Sequence, residues 1–192
     1  MLEQGRTSMS IGYAEQSKND IRVVQMKSEE EARRISAFFL SEWSFDDARH
    51  TPGELDHFRH APLASLQQRH HMYWYVENGA GDIVGVTSCK ENEHQTDGYL
   101  WDYLVVHREY RRYGVARQLY SALEQYVISI GGRYLLTYTC DLPEYVPIQN
   151  MFVRNGFRQI GRYPDFYYDG EDRLAYYKKL PGAGESAAKP GP

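Results

Sequence analysis

The fold of this chain is decided by the stretch His107-Arg108-Glu109-Tyr110-Arg111-Arg112-Tyr113-Gly114-Val115-Ala116-Arg117-Gln118-Leu119. It follows an apolar run, Tyr99-Leu100-Trp101-Asp102-Tyr103-Leu104-Val105-Val106, which is typical of a strand. From Gly114 onward, apolar residues recur in steps of three and four as far as position 130, which predicts a helix with one buried face. The stretch is therefore predicted to be the turn through which a strand passes into a helix.

The start of such a helix is suited to binding anions. Its first N–H groups have no acceptor within the helix, and the positive end of the helix dipole lies there. Arginines at positions 108, 111, 112 and 117 add charge, while the small residues Gly114 and Ala116 leave room for a ligand. The turn matches neither G-x-x-x-x-G-K-[ST] nor G-x-G-x-x-G, which disfavours a nucleotide triphosphatase or a dinucleotide dehydrogenase. A polyphosphate ligand of another kind is predicted.

The composition is that of an ordinary globular protein. The chain has 192 residues, of which 42% are hydrophobic and 25% charged, and its net charge is −4. This size favours one domain, and the charge argues against a general nucleic-acid binder. No apolar run approaches the roughly 18 residues of a membrane span. Two cysteines and no signal-peptide pattern favour a cytoplasmic location.

One domain from about residue 20 to 180 is predicted, between segments 1–19 and 181–192 that we expect to be disordered. Strands are predicted near 21–26, 71–76, 83–89, 98–106, 134–140, 157–163 and 172–180. Helices are predicted after Ser28, after Thr51, from about Gly114 and around 146–155. The apolar run at 134–140 is typical of a central strand. The sum is an α/β fold with a mixed sheet of about seven strands and about four helices.

Three motifs, in this order, resemble those of the GNAT (general N-acetyltransferase) superfamily. The turn, with Arg111-x-x-Gly114-x-Ala116, is similar to the coenzyme A signature of that family. Phe152-Val153-Arg154-Asn155-Gly156-Phe157 is similar to its second motif, and Gly170-Glu171-Asp172-Arg173-Leu174-Ala175-Tyr176-Tyr177-Lys178-Lys179-Leu180 to its closing strand. The likeness extends from about residue 21 to 180.

The resemblance implies the acyl-CoA N-acyltransferase fold, with acetyl-CoA as co-substrate. It implies an enzyme that moves the acetyl group to a primary amine of a small molecule or peptide by direct attack in a ternary complex. A non-catalytic acyl-CoA-binding or regulatory domain is the alternative. The oligomeric state is open, with a homodimer among the choices.

The resemblance also implies which residues bind the co-substrate. Backbone N–H groups of the turn would hold the pyrophosphate, and two arginines beside it, Arg111 and Arg117, would add charge. The turn residues are Arg112, Tyr113, Gly114, Val115 and Ala116. The strand end at Leu104, Val105 and Val106 would pair with the pantetheine, and an N–H near Val106 would polarise the thioester carbonyl. Asn150 and Phe152 of the second motif would contact the pantetheine.

A general base is expected because an amine must lose a proton to attack. Asp102 is the candidate, since strand alternation gives it the same face as Leu104 and Val106, and burial would raise its pKa. The alternative, given equal weight, is that Asp102 has a structural role and is hydrogen-bonded to a loop. Glu91 and His107 are weaker candidates, and His107 is better suited to capping the turn.

The acid that protonates the leaving thiolate is less easily found. Phe152 stands where the family often has a tyrosine, and phenylalanine has no proton to donate. Tyr145 is the candidate substitute; the alternatives are water or no acid at all. Cys140 could form an acyl-cysteine, although a small buried residue is the better interpretation.

Acceptor-binding residues are predicted in two places. Trp43, Phe45, Asp46 and Asp47 lie in the region that usually covers the acceptor in this family, and residues 163–169 would form a loop that closes the other side. Trp43, Asp165 and Tyr168 are the candidates for contact, since acidic and aromatic groups together suit a cationic amine. The histidines at 57, 60, 70 and 71 fit no zinc pattern and are taken as a solvated helix face, so no metal is expected.

Overall fold

A computed structural model describes residues 22–46 and 49–181. Apart from Pro181, the two segments expected to be disordered lie outside the described residues. The strands are β1 Arg22–Gln25, β2 His71–Glu77, β3 Ile83–Glu91, β4 Gly98–Val106, β5 Tyr134–Cys140, β6 Arg158–Tyr168 and β7 Glu171–Lys179. The α-helices are α1 Glu29–Phe39, α2 Pro52–Ser65, α3 Val115–Ser129 and α4 Val146–Arg154.

The described strands form one seven-stranded sheet in the order β1-β2-β3-β4-β5-β7-β6. β4 and β5 are parallel, and the pairs β1–β2, β5–β7 and β6–β7 are antiparallel. The parallel ladder joins Gly98–Trp101 of β4 to Tyr134–Thr137 of β5, whereas β4 itself continues to Val106. The mixed α/β sheet predicted from the sequence is confirmed.

Local signals in the sequence set the helix boundaries. Ser28 caps α1, because its Oγ accepts from the Glu31 N–H at 3.3 Å while Glu31 Oε2 accepts from the Ser28 N–H at 2.8 Å. Thr51 and Glu54 form the same reciprocal pair at the start of α2. Such a capping box satisfies two N–H groups that would otherwise lack an acceptor. At the end of α3, Gly131 takes a φ of +81°, a value that glycine adopts without steric cost.

The described chain packs into two compact units. The first contains the described residues up to Ser88 together with Tyr103–Ala122, and the second contains Cys89–Asp102 and the described residues from Leu123. The core of the first unit lies around Phe39, whose ring is 5.2 Å from that of Phe58 and 5.9 Å from that of Tyr103. In this unit Gly85 allows α3 to approach β3, since a Cβ there would lie 2.6 Å from Val115 Cγ1.

The core of the second unit is aromatic. The Phe152 ring lies 5.5 Å from that of Trp101, 5.7 Å from that of Phe157 and 5.2 Å from that of Tyr176, as measured between ring centroids. All four side chains are buried. Burial of aromatic rings removes a large apolar area from water, so this cluster stabilises the unit.

The length of β6 differs from the sequence prediction. β6 continues to Tyr168, so residues 163–168 are strand rather than loop. The register shifts between Tyr163 and Tyr168, and Asp165 has a φ of +52°, which places Pro164 and Asp165 in an irregular part of an aromatic-rich strand. β5 alternates between buried and half-buried residues, with Tyr134, Leu136 and Tyr138 half-buried. β5 lies inside the sheet between β4 and β7, so the central strand predicted from its apolar composition is confirmed.

Candidate functional site

The turn that precedes α3 has two residues in the left-handed region. Arg111 is extended, with φ −65° and ψ 149°, while Arg112 has φ +71° and Gly114 has φ +79°. The first helical hydrogen bond of α3 runs from the Gln118 N–H to the Gly114 carbonyl at 3.1 Å. The left-handed backbone conformation of Arg112 costs about 1 kcal/mol in free energy. Strain of this kind is concentrated at ligand sites, which supports a binding role for the turn.

Gly114 leaves the mouth of the turn open. A Cβ built on Gly114 would meet no atom within 4 Å among the residues that the structure describes. The N–H groups of Val115, Ala116 and Arg117 belong to the first turn of the helix, where no intrahelical acceptor is in reach. Left-handed residues next to a helix start direct neighbouring N–H groups into one concavity, which is a recurrent anion site. The turn therefore fits a phosphate group.

An acidic side chain already holds one of the arginines. Arg111 Nη1 donates to both carboxylate oxygens of Asp46, at 2.9 and 2.6 Å. Arg108 Nε lies 3.5 Å from the same carboxylate, and Arg108 Nη2 donates to the Phe45 carbonyl. Asp46 lies in the region expected to cover the acceptor, and its carboxylate pairs with these two arginines of the same unit.

The end of β4 presents backbone groups on the edge opposite β3. The His107 N–H donates to the Val84 carbonyl of β3 at 2.9 Å. Since successive residues in a strand direct their N–H and C=O groups to opposite edges, those of Val106 point away from β3. Arg111 Nε lies 3.4 Å from the Val106 carbonyl oxygen. Of the neighbouring side chains, Val105 is buried, while those of Leu104 and Val106 are half-buried.

Trp43 and His107 form a stacked pair beside the turn. Their ring centroids are 5.2 Å apart with an interplanar angle of 9°, and Trp43 remains 42% exposed. His107 Nδ1 accepts from the Glu109 N–H at 3.2 Å, so His107 caps the short 3₁₀ helix Arg108–Tyr110. Both rings line a cavity of about 520 Å³ in the first unit. His107 therefore has the capping role that the sequence favoured over that of a base.

Asp102, the predicted base, lies in a salt bridge. Lys90 Nζ is 3.4 Å from Asp102 Oδ2, and the Asp102 side chain is only 13% exposed. Lys90 is thus an ion-pair partner of a side chain that is largely removed from water. Glu91, the weaker candidate, accepts from the Asp97 N–H at 3.1 Å through Oε1.

The residues of the second motif have different environments. Phe152 belongs to the aromatic core of the second unit, whereas Asn150 is exposed on α4. Tyr145 is half-buried and stands immediately before α4, at the end of the 3₁₀ helix Pro143–Tyr145. Phe152 cannot donate a proton, and Tyr145 lies at a helix start.

Asp165 and Tyr168, predicted to bind the acceptor, lie in the irregular part of β6 and beside the β6–β7 turn. Asp165 Oδ1 accepts from the Gly170 N–H at 2.7 Å, and the Asp165 N–H donates to Asp172 Oδ1 at 2.9 Å. Tyr168 is half-buried and pairs in register with Glu171. The Asp165 carboxylate thus has a local structural function in the hairpin.

The hydrogen bond from Asp165 N–H and the guanidinium of Arg162 hold the pKa of Asp172 below its usual range. Burial raises the pKa of the Cys140 thiol, which opposes formation of the thiolate that an acyl-cysteine route requires.

The histidines are not all on a solvated face: His71 is buried, and His57 Nε2 lies 3.0 Å from Tyr73 OH. Within residues 22–46 and 49–181, no group of three His, Cys, Asp or Glu side chains is arranged to hold a metal ion.

None of the helices in the described part of the chain has the length and apolar character needed to cross a bilayer.

The sequence profile of the Acetyltransferase (GNAT) family matches residues 33–157, a span that contains the turn, both predicted catalytic residues and the second motif. The chain belongs to this family. It is accordingly an acyltransferase of the GNAT type.

Solved structures of low identity share the fold. A protein from Desulfovibrio desulfuricans assigned to the GNAT family has a TM-score of 0.70 at 19% identity, covering 83% of this chain and 98% of its own. Ribosomal-protein-S18-alanine N-acetyltransferase from Escherichia coli has a TM-score of 0.67 at 14% identity, covering 88% and 99%. An aminoglycoside 6'-N-acetyltransferase complexed with coenzyme A has a TM-score of 0.66 at 15% identity, covering 83% and 98%. A search of curated proteins gives no significant match.

Sequence reasoning missed the residues that line a second cavity, of about 280 Å³, in the second unit. Tyr134, Leu136 and Tyr138 of β5 form part of its wall. The signal was present, because Tyr134, Leu136 and Tyr138 are two residues apart in β5 and therefore lie on one face of the strand. Burial raises the pKa of Tyr138, so its phenol remains protonated at neutral pH.

Proposed function

We propose that the protein is an acetyl-CoA-dependent N-acetyltransferase that moves an acetyl group to a primary amine in a ternary complex. The observation that carries the proposal is the left-handed, open turn at Arg112 and Gly114 before α3, in a chain of the GNAT family. The related aminoglycoside enzyme was solved with coenzyme A. The shared fold and the geometry of the turn together support the same coenzyme for this chain.

The turn would bind the pyrophosphate through N–H groups of residues 112–116, with charge from Arg111 and Arg117. Pantetheine would pair with the free edge of β4 at residues 104–106, and a donor near Val106 would bind the carbonyl oxygen as charge develops there. Exposed Asn150 is kept as a pantetheine contact. Phe152 would serve only by supporting α4 from the core.

Acetyl-CoA supplies an acetyl group activated as a thioester. The amine nitrogen forms a bond to the acetyl carbon and passes a proton to Asp102, directly or through water. The C–S bond then breaks, and the thiolate takes a proton from Tyr145 or water. Trp43, Asp165 and Tyr168 stay proposals for contact with the acceptor. Cytoplasmic location is also proposed, supported by two buried cysteines that form no disulfide.

The function is tested by measuring thiol release from acetyl-CoA with a panel of primary amines. Asp102→Asn should lower kcat about 100-fold at neutral pH while the Kd for acetyl-CoA stays unchanged. Asp97→Asn, an exposed aspartate of the same unit, is the matched control and should retain activity. Equal rates for the two variants would remove Asp102 as the base.

A non-catalytic acyl-CoA-binding domain is the second candidate, and the hydroxyl-free, buried Phe152 is the observation that favours it. This domain would show a rise in Tm with acetyl-CoA but no thiol release above background with any amine. Absence of acetyl-CoA binding would refute both candidates.

A further inference from the structure

A cavity of about 520 Å³ lies in the first unit, between α1, the turn that joins β2 to β3, and the residues that follow β4. Phe38 and Trp43 form its aromatic wall, and Ile83 and Val84 of β3 form its apolar wall. We call it the tryptophan cavity. Its volume is within the range of about 300–1,000 Å³ that is usual for small-molecule sites, so it can hold a ring system with a substituent.

The tryptophan cavity adjoins the turn that is proposed to bind the pyrophosphate. Its wall reaches Tyr110, and the chain continues from there into Arg111. The Arg108 N–H donates to the Trp43 carbonyl at 3.0 Å, and Arg111 Nη1 donates to the carboxylate of Asp46. The loop that carries Trp43 is therefore held against the residues at which the turn begins.

Trp43 presents a flat surface on which a ligand ring can stack. One side of its indole is stacked on His107, with the ring centroids 5.2 Å apart and an interplanar angle of 9°. This contact sets the plane of the indole, and Trp43 is still 42% exposed. Trp74 and Trp101, the other two tryptophans of the chain, are buried. Trp43 is thus the tryptophan that a ligand can reach.

The lining of the tryptophan cavity is negatively charged. Among the residues that the structure describes, Arg34 is the only arginine or lysine that lines it, and Arg34 Nη2 already donates to Glu77 Oε1 at 2.7 Å and to the Gly81 carbonyl at 2.6 Å. Asp82 and Glu109, which also line the cavity, are exposed. Such a lining repels a phosphate group, whereas an uncharged ring with an amino group can donate hydrogen bonds to the carboxylates.

Acetyl-CoA contains a ring of this kind, because an adenosine group is attached to its pyrophosphate. We infer that the tryptophan cavity binds the adenine ring of the co-substrate, stacked on the exposed side of Trp43. The ribose joins this base to the pyrophosphate, so the base lies close to the turn. The inference rests on the proposed function and deepens it by naming the site of the nucleotide end. It assigns Trp43 to the co-substrate instead of the acceptor.

The position of the tryptophan cavity argues against the acceptor as its occupant. The acceptor has to reach the thioester near Val106, whose N–H points away from β3. The cavity lies on the β3 side of this strand, because its wall contains Val84, whose carbonyl accepts from the His107 N–H at 2.9 Å. Adenine needs no contact with the reacting atoms, since the pantetheine separates it from the thioester.

The first test measures by calorimetry the Kd of coenzyme A and that of 4′-phosphopantetheine, which lacks the adenosine. Trp43→Ala should raise the Kd of coenzyme A at least about fivefold, because the stacking of a base on an aromatic side chain is lost. It should leave the Kd of 4′-phosphopantetheine unchanged. Leu63→Ala, at an equally exposed site on α2, is the matched control and should change neither. An unchanged Kd of coenzyme A in Trp43→Ala would overturn the inference.

The second test uses tryptophan fluorescence, and it applies even where Trp43→Ala fails to fold. Stacked adenine should quench the emission of Trp43, so coenzyme A should lower the emission of the parent protein and 4′-phosphopantetheine should not. Trp43→Phe keeps a flat ring, and should bind coenzyme A within about threefold of the parent without the decrease in emission. A decrease of equal size in Trp43→Phe would come from the buried Trp74 or Trp101 and would contradict the inference.

The two proposals fail in different ways. If Trp43→Ala weakens the binding of coenzyme A but not that of 4′-phosphopantetheine, and no amine releases thiol, the adenine assignment stands and the catalytic function is overturned. If Trp43→Ala raises KM for an amine and leaves the Kd of coenzyme A unchanged, the adenine assignment is overturned while the function stands. If coenzyme A does not bind the parent protein, both are overturned.

Discussion

Arg111 Nη1 donates to both oxygens of Asp46, at 2.9 and 2.6 Å. The same guanidinium is the proposed charge partner of the pyrophosphate, so Asp46 competes with the ligand for it. Exposed ion pairs are worth up to about 1 kcal/mol, and Asp46→Asn should accordingly tighten acetyl-CoA binding by up to about fivefold at low salt. Calorimetric titration at two salt concentrations measures this. Arg111→Met should weaken binding; a Kd unchanged in both variants would refute the role of Arg111.

Gly114 and Gly131 provide a matched pair of substitutions at the two ends of α3. Both have φ near +80°, and neither has an atom of the described residues within 4 Å of a built Cβ. Asparagine tolerates this backbone region, so Gly114→Asn and Gly131→Asn should each cost at most about 1 kcal/mol of stability. Only the side chain at position 114 would stand over the N–H groups of the turn.

Gly114→Asn should therefore raise the Kd for acetyl-CoA at least about tenfold, whereas Gly131→Asn should leave it unchanged. The two Kd values are compared at equal Tm. Retained affinity in Gly114→Asn would show that the ligand does not approach this turn.

Tyr145 is the proposed donor to the leaving thiolate, because Phe152 is enclosed by rings and carries no hydroxyl. Tyr145→Phe should lower kcat at least about tenfold at neutral pH with little change in KM. Tyr163→Phe, at an exposed tyrosine of the second unit, serves as the control. An unchanged kcat in Tyr145→Phe would assign the proton to water.

Cys140 should not take part in catalysis. Burial raises the pKa of its thiol, and thus the reactive thiolate is scarce at neutral pH. Cys140→Ala should retain kcat to within about twofold, and iodoacetamide should modify Cys140 slowly until the protein is unfolded. Trapping of an acetylated Cys140 by mass spectrometry would contradict this.

Asp172 should make the free energy of unfolding depend on pH in the acidic range. Because the Asp165 N–H and Arg162 lower its pKa in the folded state, its contribution is present above the unfolded pKa of about 4. That contribution is lost as the pH falls through the folded value. Asp172→Asn should therefore lower the urea midpoint at pH 7, and the difference from the parent should shrink in strong acid. Asp169→Asn, exposed in the adjacent turn, should show no such dependence.

The backbone framework was predictable because its signals are local. Ser28 with Glu31 and Thr51 with Glu54 are capping pairs three residues apart, and the φ of +79° at Gly114 is one that glycine adopts without steric cost. β6 was predicted too short, since Pro164 and Asp165 normally end a strand. Here they occupy an irregular register that the Asp165–Asp172 hydrogen bond holds in place.

The side-chain environment of the site was less predictable, because it depends on pairings distant in sequence. The contact of Arg111 with Asp46 spans 65 positions, and no spacing rule connects them. The close approach of the Tyr134 ring to the backbone of β4 depends on the register of β5, which pairs Tyr134 with Gly98. Amino-acid composition does not specify that register. His57 and Tyr73 form their contact across 16 positions, so a helix-face pattern alone could not show that His57 is partly enclosed.

The two packing units are interleaved along the chain, and this has a consequence for synthesis. Residues 89–102 belong to the second unit but leave the ribosome before Tyr103–Ala122, which complete the first. Cys89–Asp102 must therefore wait, without most of their own unit, until α3 and the later strands have been translated. Ribosome-bound chains arrested before α3 would expose Trp101 and Tyr99 to chaperones, and a polypeptide divided between Asp102 and Tyr103 would yield two fragments of which neither contains a whole unit.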